Sequence, residues 1–432
     1  MKAFKTPFFF LLLMMSLVAD SNSGVEWNEI SATANRIEIT QAPLAWADFI
    51  HRMKHANVPD QAQEIAQLEK LMKQFEPQNS CHKQAVKILE QGVQAQKLFH
   101  GLQQQWHKSD EAFSGRLHEM KNADKWYQWL TLVWLGQDIS PDELYSVGEA
   151  SFKTAIDKYR QSANNQTQPK QQTLAANDDR GIQKTFQQIE RAVEKNFEAL
   201  FLNSSGFKQL KVARSIQGKD FPAPGYYDPS NQTMYYHPQD ERYDLAQIPW
   251  LYLHEGMPGH HYQSMMSNNT IDCAELKLNP DWLANGRMAM VEGWAAYVET
   301  LGKDLGVLND PLQHQFVLKW EALRAMRTMI DVGIHSKGWS VAYSKKFWQQ
   351  HFPEGVDVML REINRMKRWP MQVNTYVFGK HKIEQLKTKL KKQQGHAFDI
   401  RQFHHQLLKL SGMSVLALND YQTIYTQSET IQ

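Results

Sequence analysis

The stretch His254-Glu255-Gly256-Met257-Pro258-Gly259-His260-His261 gathers three imidazoles and a carboxylate within eight residues. That set suits a catalytic zinc, which takes three protein ligands from His and Asp/Glu, keeps a position open for water, and needs a nearby carboxylate to accept a proton. The usual helical arrangement is His-Glu-x-x-His, with two histidines four apart on one face. Here the fourth residue after His254 is Pro258. At roughly 100° per residue, His260 points about 120° away from His254 and His261 lies nearly above it. Pro258-Gly259 does not fit inside a regular helix, because the ring clashes with the carbonyl four residues back and glycine permits an unusual backbone. Local geometry therefore leaves His260 and His261 both open as the second ligand. Glu255 is the candidate general base.

His-Glu-x-x-Pro-Gly-His resembles the signature of DUF885, a bacterial family of proteins of unknown function related in fold to helical zinc peptidases of the gluzincin kind. The resemblance implies His254 and His260 as ligands, with His261 as the alternate, and a glutamate from a following helix as the third. Glu292-Gly293-Trp294-Ala295 looks like the family's Glu-Gly-Trp-Ala segment and points to Glu292, while Glu299 lies two turns further on a similar face. Arg324-x-x-Arg327, Asp331-x-Gly333-x-His335, Arg365, Pro370-Met371-Gln372, Tyr376 and Gly379 match further family positions. By that resemblance Tyr376 and His335 are the oxyanion donors, and Arg327, Tyr227 and Gln372 contact substrate. It also implies one Zn2+ ion per chain and a peptide or small amide substrate. Met371 departs from the pattern, standing where the family has glycine, and this leaves pocket shape and substrate length open.

Each residue also has a plainer reading. Glu292 can be a surface carboxylate, although Val291, Trp294 and Ala295 beside it suggest a packed helix, where an unpaired carboxylate is costly. Asp331 can simply pair with Arg327 one turn away. Tyr376 can be a core tyrosine. His404 and His405 are adjacent on an amphipathic helix, face different directions, and are expected at the surface. Arg324, Arg327 and Arg365 are candidate carboxylate anchors.

The elements that must position these groups are mainly helical. Apolar residues recur at three and four residue spacing from about Pro43 to Ala163, as at Ile65, Leu68, Leu71 and Met72. Ser140-Pro141-Asp142-Glu143 has the form of a capping box and predicts a helix running toward Tyr159. Residues 166–182, rich in Gln, Asn, Asp and Lys, predict a polar loop or linker. A helix follows near Gln183 to Phe201. Leu210 to Ile216 and Thr233 to His237 carry strand-like residues about a Pro- and Gly-rich stretch, so a small hairpin or sheet is expected there. From Pro249 onward the pattern is helical again, with stops at Gly302, Gly338, Pro353, Pro370 and Gly412. The fold class is mainly α with a minor β element. The resemblance adds a large zinc-peptidase-like fold with a central cleft, continuous from about residue 126.

Over the whole 432-residue chain, a formal net charge of +2 without a long basic run argues against nucleic acid or a polyanionic surface as partner. Lys2 and Lys5, an apolar run from Pro7 to Val18, and small residues about Ser21 and Ser23 predict a signal peptide over residues 1–23. The run is too short for a membrane span, and the junction has no cysteine for a lipid anchor. Export without a stable membrane anchor, to a periplasmic location, is expected. Residues 24–165 then form an N-terminal helical region and residues 183–432 the metal-binding region. Cys81 and Cys273 can pair or remain two separate buried thiols. The function expected is zinc-dependent peptide hydrolysis. The rivals are an amidase acting on cell-wall peptides or other non-protein amides, and a non-catalytic metal-binding protein, against which the intact Glu255 speaks.

Overall fold

A computed structural model of the chain describes residues 25–40, 46–55, 61–106, 114–164, 171–218, 221–268 and 278–420. The expected signal peptide lies outside the described residues. Four helices come first: α1 (Trp27–Ala34), α2 (Trp46–His55), α3 (Ala62–Gln74) and α4 (Ser80–Trp106). They are followed by α5 (Ala123–Leu130), α6 (Pro141–Asn164), β1 (Thr173–Ala175) and α7 (Asp179–Asn196). Four short strands come next, β2 (Lys211–Arg214), β3 (Gly225–Asp228), β4 (Thr233–Tyr236) and β5 (Arg242–Asp244). The C-terminal helices are α8 (Gln247–Glu255), α9 (His260–Asn268), α10 (Arg287–Glu299), α11 (Pro311–His335), α12 (Val341–His351), α13 (Met359–Arg368), α14 (Asn374–Gln394) and α15 (Ile400–Lys409). The fold is mainly α, with two small sheets among the described residues.

Local signals explain many of the boundaries. Ser140 Oγ accepts the Glu143 N–H at 3.2 Å and starts α6. Asp310 caps α11 through the Leu312 N–H at 2.8 Å, with Pro311 in the first turn. α12 ends before Pro353 and α13 before Pro370, as a missing N–H requires.

One expectation needs correction. The polar segment is only partly a linker: Thr173–Ala175 pairs antiparallel with Arg242–Asp244, and Asp178 caps α7 by accepting the Gly181 N–H at 2.9 Å. Its pairing partner is distant in sequence, so local composition gave no sign of it. The small sheet expected about the Pro- and Gly-rich stretch is present. β3 and β4 form the hairpin, and β2 adds parallel to β4, giving the order β2-β4-β3.

One apolar core runs from Trp46 to Leu418 and joins α2, α4 and α5 to α8, α10, α14 and α15. A second lies between α6, α11, α12 and α13, and a third holds α1 and α3 against α4. α10 and α14 cross at two glycines: a Cβ on Gly379 would collide with the Ala289 carbonyl, and one on Gly293 with the Gly379 backbone. Cys81 on α4 is disulfide-bonded, which replaces the reading of two separate thiols; Cys273 lies outside the described residues. Among the described residues, no helix is long and apolar enough to cross a membrane.

Candidate metal centre

The centre is built on a helix that breaks and restarts. α8 is buried from Ile248 to Glu255 and carries His254 and Glu255 in its last turn. At Gly256 (φ −100°, ψ −121°) the chain leaves the helix, and the Met257–Pro258 bond is cis. At Gly259 it folds back so tightly that a Cβ would collide with the carbonyls of Leu253 and His254. Trp294 on α10 donates its indole N–H to the Pro258 carbonyl at 2.9 Å and ties this turn to the helix that bears Glu292. α9 then restarts at His260. The rings of His254 and His260 consequently stand 4.8 Å apart at 76° to each other.

Glu292 completes a triangle. Its Oε2 lies 3.5 Å from His254 Nε2 and 3.6 Å from His260 Nε2, and one donor atom from each of the three residues falls within 4.8 Å of the others. Donors at about 2.1 Å from one tetrahedral zinc stand ~3.4 Å apart, so the set fits that ion. Glu292 Oε2 is buried with no hydrogen-bond partner. An orphaned buried carboxylate oxygen is costly, and a cation there would offset the cost.

Behind the triangle, His254 Nδ1–H donates to Glu299 Oε1 at 2.7 Å, and Arg324 Nη1 donates to Glu299 Oε2 at 2.5 Å. This relay fixes the ring so that Nε2 faces Glu292, the supporting arrangement that ligating histidines generally have. Burial alone would lower the His254 imidazole, but Glu292, Glu299 and Glu255 overcome it and push it up to about 9. Burial would raise the Glu292 carboxyl, but the two imidazoles hold it well below the usual carboxylate range. Three carboxylates around two imidazoles make a site that favours an added positive charge, whether proton or metal cation.

The three residues border a cavity of about 280 Å³ whose walls also include Glu255, Tyr227, Arg324, Arg327, Arg365 and Tyr376. The ring of Tyr376 stacks toward His254 at 6.2 Å, and its hydroxyl lies 3.5 Å from Arg365 Nη2. Burial raises that hydroxyl above its ordinary pKa and keeps it protonated as a donor. Trp250 and Trp320 stack at 4.3 Å and add an apolar wall.

Several expected site residues are elsewhere. His261 points away from the triangle: its Nδ1 accepts from the Tyr227 hydroxyl at 2.9 Å and its Nε2–H donates to the Gly206 carbonyl at 3.0 Å, so neither nitrogen is available as a ligand. His335 is buried outside the cavity, with Nδ1 accepting from the Leu117 N–H at 3.2 Å and Nε2–H donating to the Met366 carbonyl at 3.0 Å. It holds backbone in place and is not among the residues that line the cavity. Gln372 is not in the cavity wall; it accepts from Arg365 Nη2 at 2.8 Å and so orients that guanidinium. Asp331 does not pair with Arg327. It accepts from the Met371 N–H at 3.2 Å and Asn374 Nδ2 at 2.7 Å, while Arg327 pairs with Glu362 at 2.8 Å. His404 is buried rather than exposed, donating Nδ1–H to the Leu200 carbonyl and accepting from the Tyr297 hydroxyl, each at 2.9 Å. His405 is half-buried.

Sequence reasoning missed the supporting role of Glu299 and the partner role of Glu362. The first had a signal, an acid seven residues after Glu292 on the same helix face. The second had none, because α11 and α13 meet only in the folded chain.

Two solved structures are similar in fold. A candidate lipoprotein from Colwellia psychrerythraea is 20% identical at a TM-score of 0.62, over 88% of this chain and 69% of that one. A candidate lipoprotein of unknown function from Shewanella oneidensis is 18% identical at a TM-score of 0.56, over 87% and 69%. No curated protein matches the chain. The family model of the bacterial proteins of unknown function DUF885 matches residues 29–420, and the chain belongs to that family.

Proposed function

We propose that this protein is an exported zinc-dependent hydrolase that cleaves peptide bonds. The observation that carries the reading is the triangle of His254, His260 and Glu292, with an orphaned Glu292 oxygen facing two imidazoles across 3.5 and 3.6 Å. When bound there, zinc supplies a polarising charge and a water acidic enough to attack near neutral pH. Glu255, in the same cavity wall, accepts a proton from the attacking water and delivers it to the leaving amine. Tyr376 donates its hydroxyl to the carbonyl oxygen as negative charge develops. The Arg324–Glu299 pair holds His254 in the required tautomer. Export is supported by the basic and apolar pattern of the first residues and by the naming of both solved relatives as candidate lipoproteins.

Metal analysis of the purified protein, joined to a peptide-library digest read by mass spectrometry, tests this. One zinc per chain is expected, with Glu255→Gln retaining the metal and losing hydrolysis by roughly 10²–10⁴-fold. His254→Ala and Glu292→Ala should lose both. Wild-type turnover by Glu255→Gln would remove Glu255 as the base, and absence of bound zinc would remove the reading itself. Muropeptide fragments in the same screen separate a peptidase from an amidase on other substrates.

A further inference from the structure

We propose that Arg365 binds the free carboxylate of the substrate and that the protein removes single residues from peptide C-termini. The proposal rests on the hydrolase reading and adds the substrate class.

Of the three guanidiniums in the cavity wall, two have a carboxylate at ion-pair distance. Arg324 pairs with Glu299 at 2.5 Å and Arg327 with Glu362 at 2.8 Å, all four side chains being buried. Glu292 faces the two imidazoles. Arg365, largely buried in the same wall, has no carboxylate within ion-pair distance among the described residues. The partners of its Nη2 are neutral, Gln372 Oε1 at 2.8 Å and the Tyr376 hydroxyl at 3.5 Å, and its Nε is buried with no hydrogen-bond partner. Glu362 and Glu292 act on this guanidinium only from beyond ion-pair distance, so an arriving carboxylate would supply the direct counter-charge that its buried fork lacks. The planar fork of arginine suits a carboxylate, and Gln372 already holds it in place.

Position sets the cleavage point. One residue spans at most roughly 3.3–3.6 Å of chain. Arg365 Nη2 and the Tyr376 hydroxyl stand 3.5 Å apart, a separation that suits adjacent units of one substrate, with the terminal carboxylate on Arg365 and the peptide carbonyl just before it on Tyr376. The last peptide bond is the one cut. The rest of the substrate has room in a groove of about 1320 Å³ that shares Pro222, Pro224 and Trp320 with the cavity wall. In the reaction the water oxygen forms the new C–O bond and the C–N bond breaks. Both water protons end on the leaving amine, the first by way of Glu255. The products are a shortened peptide carboxylate and a free zwitterionic amino acid.

The test compares N-acetylated tripeptides carrying free carboxyl termini with the same peptides as carboxamides, using the zinc-loaded full chain. Single residues should leave the acids, with kcat/KM roughly 100-fold above that for the amides. Arg365→Gln should abolish that preference at unchanged zinc content and circular dichroism, and Arg365→Lys should retain part of it. Equal cleavage of acid and amide by the wild-type chain overturns the proposal without any variant, as does release of internal fragments or a preference that survives Arg365→Gln. If Arg365 served only to assist Tyr376, acid and amide would fall together, which also overturns it. If neither pool is cleaved, the hydrolase reading fails separately. Calorimetry with N-acetyl-trialanine and its amide on zinc-loaded Glu255→Gln then decides: tighter acid binding, lost on adding Arg365→Gln, supports the carboxylate site, and equal or absent binding overturns it.

Discussion

His335 shows how one residue type serves opposite ends. Spacing on α11 puts it on a face with Arg327 and Asp331, and resemblance makes it an oxyanion donor, yet both ring nitrogens are bound to backbone groups. Burial is the first cause that pushes its imidazole down from 6.5 to about 4. Because the folded pKa is depressed, its stabilising contribution is complete above about pH 6.5 and is lost as pH falls through about 4. A shift of that size corresponds to roughly 3 kcal/mol. Urea unfolding at pH 7, 5.5 and 4 should show that loss. His335→Ala should remove this part of the slope and cost about 1–3 kcal/mol at pH 7 by leaving the Leu117 N–H and Met366 carbonyl unpaired. Its turnover per folded molecule should match wild type; a well-folded but inactive variant would return His335 to the reaction. Met371 is the companion case. It stands where the resemblance expects glycine, at φ 74°, a left-handed conformation that disfavours a side chain, and its N–H is held by Asp331.

Among the elements, the α10–α14 crossing sets the distance between the proposed metal triangle and Tyr376, the proposed oxyanion donor. Glu292 precedes Gly293 on α10, and Tyr376 lies one turn before Gly379 on α14. The backbones approach so closely that only glycine fits at either point. Gly379→Ala should force the helices apart, cost about 1–3 kcal/mol of stability and lower kcat up to roughly 10²-fold by displacing Tyr376. Zinc should remain stoichiometric, since its three proposed ligands lie on α8, α9 and α10. Kinetics paired with metal analysis checks this, and loss of zinc at unchanged kcat would contradict it. Gly259 is a comparable constraint within α8 and α9. Its closeness to the His254 carbonyl lets the restarted helix present His260 instead of His261, a choice that helical periodicity left open.

For the molecule as a whole, the triangle joins three helices that are also joined by the main core, so a bound ion should report on global stability. Zinc that binds only the folded chain stabilises it by about 4 kcal/mol at a free concentration a thousandfold above Kd. Chelation should therefore lower Tm, and readdition of zinc should restore it in a concentration-dependent manner. A Tm insensitive to both would count against the metal site. The core also connects the N-terminal helices to the proposed site: Trp46, Phe99 and Trp126 belong to the same apolar body as Trp250, Trp294 and Phe378.

Much of this was legible in residue order because its causes are local. Helix periodicity, the Ser140 cap, the proline and glycine stops, and the chemistry of His-Glu-x-x-Pro-Gly-His act over a few residues. Family resemblance pointed to Glu292 and Tyr376, and the fold brings both to one cavity wall. Tertiary structure decided what depends on partners far along the chain. It paired Arg327 with Glu362 rather than the neighbouring Asp331, and drew Thr173–Ala175 out of an apparent linker into a strand. It also buried His404 against Tyr297 and set Glu299 between Arg324 and His254. Sequence by itself determined which groups were able to act. Only packing determined which of them face one cavity, because a side chain's direction and the cost of its burial are set by the helix that lands beside it.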